Sequence, residues 1–159
     1  MNRRIVTVLF TLSLCTVATE SFADNAPAPA PTPAPAPPQR ITVETNGLRN
    51  AKGVVRCSLW ASANGFPKDP ARALVNVVAP AIANGRAVCV FDNIKPGTYA
   101  VGYIHDENNN GKMDTNFLGV PTEGYGASND ARGSMSPPKF DDAKFNHAGQ
   151  TDLHLKTEY

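Results

Sequence analysis

The residues that follow His105 carry side-chain oxygens at the spacing of a loop that binds a hard cation. Calcium takes about six to eight oxygen ligands, and an EF-hand loop supplies them from positions 1, 3, 5, 7, 9 and 12, with glycine at position 6. Residues 106–114 read DENNNGKMD, which places Gly111 at the sharp turn. The candidate ligands are Asp106, Asn108, Asn110, the main-chain carbonyl of Lys112, and Asp114. This spacing predicts a calcium site.

The match to the calcium template is incomplete. The twelfth position, which normally holds a bidentate Glu, is Phe117. Asn108 and Asn110 stand where Asp is usual, so the site has less charge, and we expect a Kd on the order of 10⁻⁴ to 10⁻³ M. Glu123 and Asp130 are the candidates for the missing oxygens, if the chain folds back. The alternative is a metal-free loop, held by hydrogen bonds from Asn and Asp side chains to nearby main chain.

The same carboxylates allow a catalytic alternative, a hydrolase that acts on carbohydrate through Asp106, Asp114 or Glu123. That chemistry needs two carboxyl groups about 5 to 9.5 Å apart across a cleft. The sequence contains no Gly-x-Ser-x-Gly nucleophile motif and no zinc-ligand spacing. We therefore expect a non-catalytic protein.

The second half of the segment, residues 119–129, reads GVPTEGYGASN and provides candidate ligand-binding residues in Tyr125 and Asn129. Tyr125 lies between two glycines, where its ring could stack on a sugar or a peptide. Trp60 and Phe66 are further aromatic candidates, although packing in the core is the role we expect of them.

The N-terminal residues predict export. Arg3 and Arg4 precede an apolar run over residues 5–18, and Ser21 and Ala23 provide the small residues of a cleavage site. This is the pattern of a secretory signal peptide over residues 1–23, so the mature chain is expected in the periplasm or outside the cell, with no transmembrane span. Lipid anchoring at Cys15 is not expected, because Leu14 stands where a lipoprotein signal has a small residue.

Residues 24–39 form a linker, and Ala and Pro alternate over its residues 26–38 with one Thr. This composition cannot pack a core and favours the extended polyproline II conformation, in which these thirteen residues would span about 40 Å. Residues 40–159 are long enough for one domain with its own core.

The charge balance argues against nucleic-acid binding. Loss of Arg3, Arg4 and Glu20 with the signal peptide reduces 15 basic and 14 acidic residues to 13 of each. A neutral chain without a run of Lys or Arg has no field to attract a polyanion.

Cys57 and Cys89 are the two thiols that remain after the signal peptide is removed. An even pair in an oxidising compartment predicts a disulfide, which would stabilise the fold by roughly 3.5 to 4 kcal/mol in the chain-entropy model. The alternative is two buried free thiols.

Short apolar runs separated by turn residues predict an all-β domain. The predicted strands are 41–48, 53–60, 74–82, 86–91, 98–105, 143–146 and 151–157. Asn84 and Gly85 predict a two-residue type I′ hairpin, and an extended conformation is favoured over a helix for residues 70–83. About seven strands in this pattern predict an antiparallel Greek-key β-sandwich of immunoglobulin-like or prealbumin-like type. One long loop, of nearly forty residues, would leave the sandwich after His105.

Several motifs together resemble the bacterial secreted family known as domain of unknown function 2141. They are residues 95–100 (KPGTYA), 105–108 (HDEN), 110–114 (NGKMD), 119–129 (GVPTEGYGASN) and 140–143 (FDDA). The resemblance covers essentially residues 41–159 and implies no activity, since the family is uncharacterised. The chain is also distantly similar to prealbumin-like and collagen-adhesin B-type sandwich modules, which implies the same fold class.

These observations predict an exported, non-catalytic binding or structural module of the bacterial cell envelope. Its partner is expected to be an envelope protein or carbohydrate. Calcium is the one cofactor that the sequence suggests.

Overall fold

The computed structural model describes residues 39–81 and 84–159. The predicted signal peptide, Cys15 and all of the linker except Gln39 lie outside the described residues. Within the described part, no helix is long and apolar enough to cross a membrane.

Besides two 3₁₀ turns at Pro70–Arg72 and Ser128–Asp130, the described domain consists of eight strands and one α-helical turn. They are β1 (Arg40–Asn46), β2 (Val54–Trp60), β3 (Val75–Pro80), β4 (Arg86–Asp92), β5 (Gly97–Asp106), β6 (Gly124–Ala127), α1 (Phe140–Ala143), β7 (Phe145–His147) and β8 (Gln150–Lys156). Each of the seven predicted strands overlaps one of these, and β6 was not predicted. Asn84 and Gly85 have positive φ values of 86° and 69°. The predicted two-residue hairpin is wrong, however, because β3 pairs with β2 and β4 pairs with β1, so these residues belong to a connection between two sheets.

The strands form two sheets, in the orders β4-β1-β8 and β3-β2-β5-β6, and β7 pairs with the first residues of β5. The predicted all-β sandwich is confirmed. The expectation that every strand pair is antiparallel is wrong for β1 and β8, which run parallel with Ile41 opposite Thr151. No hairpin connects these two strands, so no tight turn dictates their relative direction.

Alternating side chains fill the space between the sheets. Val55, Cys57 and Leu59 of β2 are buried, and so are Ala87, Cys89 and Phe91 of β4. The predicted disulfide is confirmed: Cys57 and Cys89 are bonded, with their Cα atoms 6.4 Å apart. The bond joins the two sheets through the core.

A small aromatic cluster covers the outer face of the second sheet. Trp60 packs edge-to-face on Phe66, and Phe66 packs in the same way on Phe140, with ring centroids 5.2 and 5.8 Å apart. Gly102 lets the Trp60 ring approach the sheet, because an added Cβ would lie 3.2 Å from it. Trp60 is buried. It therefore packs in this cluster, as expected, and offers no stacking surface.

Strand β6 shortens the predicted loop. Residues 124–127 pair with residues 102–105 of β5, so the excursion after β5 runs only over residues 107–123. The sequence of β6 does not predict a strand, because two of its four residues are glycine, which is a poor strand former. Their role is close packing: a Cβ at Gly126 would lie 2.5 Å from the Tyr103 ring, and one at Gly124 would lie 2.7 Å from Thr157.

Candidate functional site

The last residue of β5, Asp106, holds the start of the loop. Its side chain is fully buried, and its Oδ2 accepts hydrogen bonds from Arg56 Nε at 2.5 Å and from the Gly111 main-chain N–H at 2.8 Å. Its Oδ1 accepts from the Asn110 N–H at 3.0 Å. One carboxylate therefore pairs with a cation on the neighbouring strand and with two N–H groups of the turn.

These bonds keep Asp106 ionised. Burial raises the pKa of its carboxyl, but hydrogen bonds from Arg56, Gly111 and Asn110 outweigh burial, and the pKa lies below its usual value. A general acid for glycoside hydrolysis needs a raised pKa. The shift of the Asp106 pKa has the opposite direction.

The next residues form a ladder of Asx turns. Asn108 Oδ1 accepts from the Asn110 N–H, and Asn110 Oδ1 accepts from the Lys112 N–H, both at 3.0 Å. The Asp114 carboxylate lies across from them and accepts from the side-chain amides of Asn108 at 2.5 Å and Asn110 at 2.9 Å. The structure thus brings Asp106, Asn108, Asn110 and Asp114 to one turn.

Glu123 folds back onto the loop, but not as the closing cation ligand. It is buried, and its Oε1 accepts from the Glu107 N–H at 2.9 Å while its Oε2 accepts from the Asp114 N–H at 3.0 Å. Both oxygens therefore bind main chain. The carboxylate bridges the two ends of the turn.

The chemistry of this donor set suits a cation only in part. Among the residues that the structure describes, no group of three or more His, Cys, Asp or Glu side chains is placed to hold a metal. Any cation at the turn would depend on the amide oxygens of Asn108 and Asn110 and on Asp114. The Arg56 guanidinium beside Asp106 adds a positive charge that opposes it.

A second set of contacts fixes the loop to the segment after β1. Glu107 accepts from Asn50 Nδ2 at 2.8 Å and forms an ion pair with Arg49 at 2.7 Å. Burial raises the pKa of Glu107, but the hydrogen bonds from Asn50 and Arg49 outweigh it, so the pKa is lowered. Arg49 also donates to the Thr122 carbonyl at 3.0 Å. Both ends of the loop are therefore tied to Arg49.

The far part of the loop is a short hairpin, residues 114–122, that sequence reasoning missed. Asn116 N–H donates to the Val120 carbonyl, Thr122 N–H donates to the Asp114 carbonyl, and Thr115 bridges to Pro121. Phe117, Leu118 and Val120 are exposed at its end, and we call these three side chains the apolar tip. The signal in the sequence was the run FLGV inside an otherwise polar segment. In the calcium template, Phe117 is only the position at which the bidentate Glu is missing.

The two predicted ligand-binding residues lie apart from this hairpin. Tyr125 is half-buried on β6, where its main-chain N–H and carbonyl both pair with Glu158. Asn129 adopts a left-handed φ of 61°, and its amide donates to the carbonyls of Asp142 and Lys144. Asn129 therefore holds the main chain around α1 in place. A ligand-binding role stays a prediction for both residues.

A surface cavity of about 340 Å³ lies beside the aromatic cluster. It is lined by Ala63, Phe66, Pro67, Lys68, Pro137, Pro138, Lys139 and Phe140. The lining contains no carboxylate, so Asp106, Asp114 and Glu123 do not converge on it.

The fold and the loop together define a class: a disulfide-linked β-sandwich domain with a braced loop at one end. The sequence model of one family, described as "Uncharacterized protein conserved in bacteria (DUF2141)", matches residues 43–154. The match covers more than two thirds of the chain, and the chain belongs to this family. Searches of curated proteins and of solved structures gave no match.

The geometry of Asp106 predicts a pH-dependent loss of stability in the variant Asp106→Asn. In the wild type, the pKa of the Asp106 carboxyl is lower in the folded chain than the value of about 3.9 expected in the unfolded chain. The ionised carboxylate therefore stabilises the fold above about pH 4, and this stability is lost as the pH falls through the folded pKa. At pH 7 the variant should lose about 3 kcal/mol of unfolding free energy, because Arg56 would lose its buried partner.

Urea unfolding of both proteins between pH 2 and pH 7 checks this prediction. The two stability curves should converge at the acid end. Asp152→Asn, an exposed site on β8, is the matched control and should leave the curve unchanged. A constant difference at every pH would show that the carboxylate charge is not what stabilises the turn.

Proposed function

We propose that this protein is an exported, non-catalytic binding module of the bacterial cell envelope, and that residues 107–123 are its binding element. The observation that carries the proposal is that two buried carboxylates bind the main chain of this loop. Asp106 and Glu123 between them accept four main-chain N–H groups of the loop, those of Glu107, Asn110, Gly111 and Asp114. Carboxylates engaged in this way hold a surface in place for a partner.

The position of the loop supports the same proposal. Its hairpin projects from the end of β5 and exposes apolar side chains, while its base is tied to Arg49 and Glu107. Large exposed apolar side chains grouped together are typical of interaction sites. The proposed export rests on the pattern of residues 1–23, and a spacer of Ala and Pro would separate the domain from the N-terminus.

Envelope fractionation tests the proposal on the full chain with a C-terminal tag. The wild type should be recovered without residues 1–23 and should sediment with isolated cell envelopes. Replacement of residues 115–121 by a Gly/Ser segment of equal length should release most of it, because the proposed binding element is removed. The same replacement at residues 133–136, an exposed loop elsewhere, should release none.

Three outcomes would contradict the proposal. The first is an unprocessed chain that stays in the cytoplasm, and the second is an envelope association that the loop replacement does not change. The third is hydrolysis of envelope polysaccharide that Asp106→Asn or Glu123→Gln abolishes, which would favour the carbohydrate hydrolase.

We also propose weak calcium binding at the turn, favoured by the convergence of Asn108, Asn110 and Asp114 next to Asp106. The Asn108 and Asn110 side chains would turn their amide oxygens towards the ion, which breaks the hydrogen bonds that these oxygens now accept from main-chain N–H groups of the turn. Lys112 would add its main-chain carbonyl, as the seventh position of the template does.

Calorimetric titration of chelated protein checks this second proposal. We expect a Kd on the order of 10⁻⁴ to 10⁻³ M, and a loss of at least about tenfold in Asp114→Asn, because one of the few carboxylates is removed. Asp152→Asn should bind calcium as the wild type does. No heat and no thermal shift at millimolar calcium would show that the turn is held by its own hydrogen bonds alone.

A further inference from the structure

The apolar tip is the most exposed group of large apolar side chains in the described part of the chain. Phe117 is 95 %, Leu118 73 % and Val120 53 % exposed. Together they present on the order of 400 Å² of apolar surface, which is within the range of the largest patch on a typical soluble monomer. The three side chains lie at the end of a hairpin, so a protein partner would need a groove to receive them, whereas the hydrocarbon of a lipid bilayer would not.

Four main-chain N–H groups at the end of the hairpin, those of residues 116, 118, 119 and 120, are already hydrogen-bonded. Asn116 Oδ1 accepts from the N–H groups of Leu118 and Val120 at 2.9 and 3.0 Å, and its main-chain carbonyl accepts from the Gly119 N–H at 2.9 Å. The Asn116 N–H itself donates to the Val120 carbonyl at 2.8 Å. An apolar solvent penalises every unpaired N–H group. These four groups would enter such a solvent without that penalty.

The end of the hairpin is uncharged, and the charged side chains lie at its base. Residues 115–122, TNFLGVPT, contain no charged side chain. Lys52 and Lys112 lie at the base of the loop and are exposed, and neither has a carboxylate within ion-pair distance among residues 39–81 and 84–159. The Asp114 carboxylate lies at the same base and accepts hydrogen bonds from two Asn amides, so the two ammonium groups stand against one carboxylate without a cationic partner. An apolar end followed by free ammonium groups matches the order of acyl chains and phosphates at a bilayer surface.

We propose that the apolar tip inserts into the interface of a phospholipid bilayer, with Lys52 and Lys112 near the phosphate groups. This inference rests on the proposed envelope-binding function and names its partner as lipid. From Asp114 to Leu118 the hairpin extends at most about 13 Å at ~3.3 Å per residue, because its last residues form the turn, and a depth of about 5 to 10 Å reaches the boundary of headgroups and acyl chains. Asp106 and Glu123 fix its base, so little order has to be gained on binding.

Vesicles of equal parts phosphatidylcholine and phosphatidylglycerol, mixed with the full chain, test the proposal. In the variant Phe117→Trp the new indole should shift its emission to shorter wavelength on mixing and should be quenched by lipids brominated on the acyl chain. Trp60, the one native tryptophan, is buried and gives a constant background that is subtracted.

Sedimentation with the same vesicles gives the affinities. Phe117→Ser with Leu118→Ser should lower the partition coefficient at least about tenfold, since two large side chains no longer leave water. Met135→Ser, at a fully exposed site in another loop, is the matched control and should change it less than about twofold. All these positions are exposed, and circular dichroism checks that each variant folds.

Four results would overturn the inference. An unchanged Phe117→Trp spectrum, or equal sedimentation of the double variant and the wild type, excludes insertion of the tip. Self-association that the double variant abolishes would identify a second copy of the chain as the occupant. Loop-dependent binding to whole envelopes without binding to vesicles would leave the proposed function standing and assign the tip to a protein or carbohydrate.

Discussion

Main-chain N–H groups that leave a sheet must find acceptors elsewhere, and this requirement governs the loop after β5. Residues 107–123 run away from both neighbouring strands, so the ladder of β5 cannot pair them. Asp106 and Glu123 take its place, one at each end of the loop, and each binds two N–H groups. A charged acceptor forms stronger hydrogen bonds than a neutral one. The hairpin between them is therefore presented in one orientation.

The sandwich provides the frame for these carboxylates. Arg56 lies on β2 and Asp106 on β5, strands held side by side by their ladder and fixed against the opposite sheet by the Cys57–Cys89 bond. Gly53 allows the closest approach, because a Cβ there would lie 1.9 Å from the Asp106 carbonyl. Any side chain at that position would displace the start of the loop. The fold therefore determines where Asp106 lies, and Asp106 determines where the loop begins.

The sequence predicted the sandwich because period-two patterns and turn residues are local signals. It also predicted the disulfide and the clustering of Asp106, Asn108 and Asn110, which lie within one turn. It could not predict β6, whose glycines serve a packing need that appears only when Tyr103 is opposite. Nor could it predict the bond partners of Glu123, which are sixteen and nine residues away and are set by the return of the chain. The apolar tip was not predicted, because the calcium template describes only residues that provide oxygen ligands.

Amide hydrogen exchange of the Glu107 and Asp114 N–H groups tests most directly whether buried carboxylates hold the loop. In the wild type both amides should be protected. In Glu123→Gln one side-chain oxygen is replaced by an amide that cannot accept, so exchange at one or both positions should accelerate by at least about tenfold while the core strands keep their protection. Glu44→Gln, at a surface ion pair on β1, is the control. Unchanged protection in Glu123→Gln would contradict the account.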